Sequence, residues 1–459
     1  MTEYYSRKKF VNKFGKAALA SIFLSDCINK IHNTNIVFIL SDDLSKYDVS
    51  CYGNSAVKTP NIDRIAKEGL KFHRAYTPTA MCAPARASLY TGLYPHRNGV
   101  HMNHGSTKSS VLSLPIYLNE LGYRVGLSGK KHIYPLDVYP FEYMSDDKDS
   151  IDDFIGKNDT PFCLIFASNE PHGPHNKGNY SPKDVSVPPY QIDTQETREL
   201  LANYYADIDI HDKEVGVILD LLDKHNLTSN TIVFFASDNG FELFAKWTCY
   251  EAGLNVPFLV RWPNKINPGT KTNAMISFAD FVPTLIDIAG GQVPGYLDGK
   301  SFKSVLLNEK LTHHKYIYGT HTNRGIWSGE TYPIRSIRNK RYKYIQNLYS
   351  EGKFTCIPTN GWDYNEENAS EVFKSWKKKA LTDDFATKRV IHLQKRPPEE
   401  LYDLEKDPYE LNNIINKKGV SDIVVELKSE LQSWMEQQGD FGLESELQVE
   451  KKLPKKADY

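Results

Sequence analysis

The chain has 459 residues, enough for two or three domains of ordinary size or for one large α/β domain with an appendage. Its 56 Lys and Arg against 57 Asp and Glu leave a formal net charge of −1, which excludes a global basic field for nucleic acid. Six cysteines, at 27, 51, 82, 163, 249 and 356, form no CxxC pair and do not cluster with histidine, which argues against a zinc ribbon and, in a chain this long, against a disulfide framework.

In chain order, the first feature is "SRKKFVNKFGKAALASIFLSDC", where basic residues precede a short apolar stretch, Ala17–Leu24, and then Cys27. The stretch is too short to span a bilayer as a helix. The pattern predicts an export signal over residues 1–27, and "LSDC" loosely resembles a lipoprotein cleavage box. The expected location is the periplasm, the cell surface or the medium. No other long apolar run predicts a transmembrane segment.

"NIVFILSDDL" (35–44) is a continuous apolar run ending in two carboxylates, the pattern of a buried parallel strand. "TPNIDRIAKEGLKF" (59–72) has helical spacing, with Thr59 as cap and Pro60 in the first turn. "SLPIYLNELGYRVGLSGKKH" (113–132) reads as helix, turn and strand, and "TPFCLIFASNEPH" (160–172) as another buried strand with a polar end. Apolar residues at 201, 205, 208, 215, 218 and 222 predict a long amphipathic helix. "NTIVFFASDNG" (230–240) repeats the pattern of the first strand, and "VPFLVRWP" (256–263) adds one more. Strands alternating with helices predict a large, mostly parallel sheet with helices on both faces, whose carboxyl ends would hold the ligand. Asp42, Asp43, His172, Asp238 and Asn239 all fall just after such runs.

After about residue 313 the texture changes to short antiparallel strands and turns, with a terminal helix around 421–437 and a frayed tail. The expected division is a catalytic domain over 31–312 and a small α+β subdomain over 313–459.

Asp42, Asp43, Asp238 and Asn239 offer only oxygen ligands, which select Ca²⁺ or Mg²⁺. Each pair alone fits a helix cap or turn equally well; two pairs at strand ends of one sheet favour a metal. Arg86, Lys130, Lys131, His132, His172 and Lys246 could converge on an anion. Cys82, in "MCAPARASLYTG" (81–92), stays open at this point between core residue, disulfide half, metal ligand, nucleophile and precursor of another group.

The spacing of Cys82, Pro84, Arg86 and Thr91-Gly92 resembles the sulfatase signature. "GYRVGLSGKKH", "EPHGP", "SDNG" and "KWTCYEAGLNVP" resemble later blocks of that family, and the resemblance runs from about residue 33 to "ELYDLEKDPYELNNI". It implies an alkaline phosphatase-like α/β fold with a small C-terminal subdomain. It also implies that Cys82 is oxidised by a formylglycine-generating enzyme to Cα-formylglycine, whose hydrate attacks sulfur. Carried over residue by residue, Asp42, Asp43, Asp238, Asn239 and residue 82 would hold Ca²⁺. Arg86 would orient the formylglycine, Lys130 and Lys246 would bind sulfate, His132 would act as base, and His172 would protonate the leaving group.

Two segments, "GKKHIYPLDVYPFEY" and "YPIRSIRNKRYKYIQNL", resemble the heparan N-sulfatase branch and its bacterial polysaccharide relatives, while Lys246 and "YEAG" resemble O-sulfatases. The implied function is hydrolysis of sulfate esters on a sulfated polysaccharide, algal or glycosaminoglycan. The alternatives are N-sulfoglucosamine hydrolysis, phosphonate monoester or phosphodiester hydrolysis, and a non-catalytic glycan-binding role. For substrate contacts the expected residues are His104, His321, Tyr332 and Arg335, with a structural salt bridge or turn an equal alternative for Arg335 and His104.

Overall fold

A computed structural model of the protein describes residues 34–450 except 158–159, 242–244, 327–328 and 363; the expected export segment lies outside the described residues. Its centre is a nine-stranded sheet. Strand β1 (Asn35–Ser41) is buried over all seven residues. It runs parallel to β5 (Phe162–Ala167) on one side and to β6 (Thr231–Ser237) on the other. Beyond β5 lie β3 (Arg124–Gly129) and β4 (Glu142–Met144), also parallel.

The apolar run of β1 is continuous because both of its faces are covered. Ile36, Phe38 and Leu40 enter one core, with Leu89 and Tyr90 of α2 (Cys82–Thr91), Leu114 and Leu118 of α3 (Leu114–Glu120), and Phe281 and Leu285 of α6 (Phe281–Ile288). Val37 and Ile39 enter the opposite core, with Ile62 and Ile65 of α1 (Pro60–Glu68), Phe154 of α4 (Lys148–Gly156), and Leu201, Ile208 and Leu219 of α5 (Gln195–Lys224). Period-two side chains on a strand thus feed two helix layers.

The sheet is mostly parallel, as expected, with two antiparallel pairings: β7 (Asn255–Arg261) runs antiparallel to β6, and β2 (Leu70–Tyr76) antiparallel to β7, while β8 (Thr270–Thr272) and β9 (Ile276–Ser277) run parallel to β2. An apolar run buried on both faces reads the same in either direction, so spacing could not reveal this. The helix expected over 59–72 stops at Glu68, and Leu70–Phe72 opens β2. Gly69 marks the switch; a Cβ there would lie 2.1 Å from the Val260 carbonyl oxygen of β7.

The C-terminal region holds a four-stranded antiparallel sheet, β10 (Ile317–His321), β11 (Ile334–Arg338), β12 (Tyr342–Asn347) and β13 (Glu399–Asp403). Ile337, Tyr344 and Leu401 pack under α9 (Ser421–Gln438), whose Trp434 stacks on Tyr318 at 4.6 Å. Ile334, Ile345 and Tyr402 pack with Tyr76, Ala80 and Met81, directly before α2. Between β12 and β13 the chain crosses back to the large unit. There α7 (Glu371–Lys379) and α8 (Asp384–Gln394) join the α5 layer, and Trp376 Nε1 donates to Thr197 Oγ1 at 2.8 Å.

Candidate active site

The parallel register of β1 and β6 sets Ser41 opposite Ser237. Whatever follows each strand is therefore brought side by side: Asp42 and Asp43 after one, Asp238 and Asn239 after the other. Asp43 turns away at φ 64° and its N–H donates to Asp238 Oδ1 at 3.1 Å. Gly240 closes this turn against Ala252, whose carbonyl oxygen would lie 1.8 Å from a Cβ. On the other side of β1, the loop after β5 carries His172, and beyond β5 strand β3 ends at Gly129 (φ +83°), from which Lys130 and His132 emerge.

Cys82 is the first residue of α2, and Arg86 lies one turn later on the same face. Cys82 Sγ is 3.4 Å from Asp42 Oδ1 and 3.8 Å from Asp43 Oδ1. Arg86 grips Asp238 Oδ2 through Nε at 3.0 Å and Nη2 at 2.9 Å, and its Nη2 is 3.6 Å from Asp42 Oδ1. Both aspartates after β1 divide their oxygens. Lys130 Nζ takes Asp42 Oδ2 and Lys246 Nζ takes Asp43 Oδ2 at 2.6 Å, while the Oδ1 atoms face Cys82. His172 Nε2 lies 3.7 Å from Asp43 Oδ2.

Ligand atoms of Asp42, Asp43, Cys82 and Asp238 all lie within 4.8 Å of one another. Asn239 donates through Nδ2 to Asp43 Oδ1 at 2.6 Å, but its buried Oδ1 has no hydrogen-bond partner among the described residues. Three fully buried carboxylates and an orphaned amide oxygen form a donor set for a hard cation. The electrostatics agree. Burial, then the charge of Asp42, pushes Asp238 up, whereas Lys130 and Arg86 overcome burial to hold Asp42 well below the usual carboxylate range. A dication among them would relieve that repulsion.

Burial, reinforced by the neighbouring carboxylates, raises the Cys82 thiol well above its ordinary value. A thiol held protonated is a poor nucleophile as it stands. Burial and the Lys130 charge lower His132 to about 2, so its imidazole is neutral at ordinary pH and can accept a proton. Its Nε2 meets His104 Nδ1 at 3.0 Å.

Of the residues expected to contact substrate, only His104 lines the cavity over this cluster. Arg335 is fully buried; its guanidinium bonds Asp440 at 2.5 and 3.1 Å and Glu446 at 2.9 Å. It forms a structural ion pair with acids 105 and 111 residues downstream, a separation at which spacing along the chain could not identify the partners. His321 is likewise buried, with Nε2 on Asn323 Oδ1 at 3.0 Å, and Tyr332 is fully buried. The subdomain reaches the cavity through Ile357, Pro358, Trp362, Glu371 and Val372 instead. The turn sequence "PTNGWDYN", with exposed aromatics, was the available signal for that segment. Lys131 points elsewhere, over the Tyr143 ring.

A family model described as Sulfatase matches residues 34–146 and 137–291, and one described as N-sulphoglucosamine sulphohydrolase, C-terminal, matches 239–388. The chain is 35% identical to an ulvan-active sulfatase of Formosa agariphila over 89% of this chain and 81% of the relative. It is 28% identical to human N-sulphoglucosamine sulphohydrolase over 87% of this chain and 89% of that one. Among solved structures, one in complex with D-glucosamine-2-N,6-O-disulfate superposes with a TM-score of 0.68 at 21% identity, covering 89% of this chain and 99% of that one. The phosphonate monoester hydrolase of Agrobacterium radiobacter superposes with a TM-score of 0.69 at 19% identity, covering 88% and 96%. These two likenesses share the fold.

Proposed function

The chain belongs to the sulfatase family, and from that premise we propose that it hydrolyses sulfate esters on a sulfated polysaccharide or its oligosaccharides, with residue 82 converted to Cα-formylglycine and a Ca²⁺ ion bound beside it. The observation that carries this reading is the convergence, on one cavity, of Cys82, Lys130, His132, His172 and Lys246, with the oxygen donors after β1 and β6 clustered behind Cys82. Catalysis falls to residues 31–312, and the subdomain of 313–459 contributes to substrate choice.

Asp42, Asp43, Asp238 and Asn239 would hold the ion, which supplies positive charge to the sulfate and to residue 82 when bound. An aldehyde at residue 82, hydrated by water to the gem-diol, would supply one nucleophilic hydroxyl, and proton loss from the other would re-form the aldehyde and let sulfate leave by C–O cleavage without another attack at sulfur. Arg86, anchored on Asp238, fixes the orientation of residue 82 one turn before it. Lys130 and Lys246 can swing from their carboxylates to sulfate oxygens once the ion neutralises those carboxylates. Neutral His132 takes the proton at residue 82, and His172 gives one to the departing sugar oxygen. The reading includes a formylglycine-generating enzyme as partner. It also includes export, supported by the basic-then-apolar pattern of residues 1–27.

Sulfate release from defined algal and glycosaminoglycan oligosaccharides, with para-nitrophenyl sulfate and phosphate alongside, tests this. Release of sulfate from an O-sulfated sugar is expected. Preference for the phosphate ester would replace the reading with phosphoester hydrolysis, and glycan binding without turnover would replace it with a binding protein. The match to the C-terminal family model of N-sulphoglucosamine sulphohydrolase favours a second reading, N-sulfate hydrolysis. N-sulfated glucosamine in the same panel decides between the two.

A further inference from the structure

The catalytic side chains take up only part of a cavity of about 940 Å³. That volume is near the top of the range of roughly 300–1,000 Å³ found for small-molecule sites, and far exceeds one sulfate group. The lysines and histidines on its wall are engaged: Lys130 on Asp42, Lys246 on Asp43, His132 with His104, His172 beside Asp43, and His175 on Asp207 at 2.8 Å. The rest of the wall is mainly apolar, formed by Leu200, Ile326, Ile357, Pro358 and Val372, with Trp362 at the rim, 65% exposed. The charged group described on this part is an anion, Glu371 at the start of α7, one of whose oxygens meets Lys374 at 2.9 Å. Residues 242–244, 327–328 and 363, which adjoin the lining in sequence, include no Lys, Arg or His.

A carboxylate or second sulfate seated there would lose its hydration without gaining a counter-charge, and would face the Glu371 carboxylate. An uncharged sugar meets neither cost. Its C–H face can lie on the Trp362 indole, a large rigid apolar surface at the rim. Resting on the sulfatase reading above, we propose that this wall is a subsite for an uncharged sugar stacked on Trp362. The enzyme then selects sulfate groups whose neighbouring glycan unit carries neither a carboxylate nor a second sulfate.

Calorimetric binding to the Cys82→Ala protein tests this apart from the chemistry. The probes are two monosulfated disaccharides that share the sulfated sugar this protein binds most tightly. One carries a neutral hexose as neighbour, the other a hexuronate. The neutral form is expected to bind at least about tenfold tighter, the ratio that ~1.4 kcal/mol produces. Adding Trp362→Ala is expected to remove most of that preference, and Glu371→Gln to narrow it. Equal or tighter binding of the uronate form overturns the proposal. So does Trp362→Ala affinity for the neutral form within about twofold of its parent, well below that tenfold step. Failure of both disaccharides to bind while inorganic sulfate binds also overturns it. Sulfate release by the unmutated enzyme tests the sulfatase reading separately: a protein that binds with this preference but releases no sulfate refutes that reading and leaves the subsite standing.

Discussion

Arg335→Ala separates a structural ion pair from a substrate contact. The guanidinium is fully buried and holds Asp440 and Glu446, both also buried. Removing it leaves two carboxylates in the interior without their partner, a loss of about 3–5 kcal/mol for a broken buried pair. Unfolding entropy of roughly 2.1 cal/mol/K per residue gives ~1 kcal/mol/K for the whole chain, so Tm should fall by about 3–5 °C if it melts as one unit. Scanning calorimetry reads the shift, and kcat/KM per folded protein on an active glycan reads function. Arg335→Ala/Asp440→Asn should recover part of the lost stability, because one of the stranded charges is gone. A Tm within about 1 °C of the parent, against that expected loss, would refute the reasoning. So would a large fall in kcat/KM at unchanged Tm, which would return Arg335 to the substrate.

Gly129→Ala places a Cβ 2.2 Å from the Ala167 carbonyl oxygen, which also accepts from Lys130 N at 2.8 Å; displacing Lys130 by ~1 Å should lower kcat about a hundredfold, measured by sulfate release. Acid should weaken the fold through Glu400: burial opposes ionisation, but His392, Tyr402 and Asn347 lower its pKa from 4.5 to about 2. With the folded value below the unfolded one, this stability is present above pH 4.5 and is lost as pH falls through about 2. Glu400→Gln should accordingly flatten the dependence of Tm on pH across that window. Chelation should abolish sulfate release and lower Tm, with both restored by Ca²⁺; a chelated protein of unchanged Tm and activity would dismiss a cation among Asp42, Asp43 and Asp238.

The candidate cluster was legible because the carboxylates in it follow apolar runs, and parallel pairing of β1 with β6 turns that one-dimensional pattern into adjacency. Cys82 and Arg86 were legible together through the resemblance to the sulfatase signature, and the structure places both on one face of α2. Strand direction was not: β7 is apolar on both faces and spacing carries no polarity. Leu70 and Phe72 continued the helical rhythm of α1 and hid the break at Gly69, which is set by close approach of β7. The cavity wall beyond that cluster was less legible for a related reason. Arg335 and His321 had suitable chemistry but strand neighbours that bury them, whereas Trp362 lay in a segment whose return to the cavity depends on α7 and α8 packing with α5.

The most direct test is the mass of the tryptic peptide spanning residues 75–86 from enzyme that releases sulfate. A peptide about 18 Da lighter than the encoded thiol is expected, the change for an aldehyde at residue 82. A fully active preparation in which Cys82 remains an unmodified thiol would contradict it.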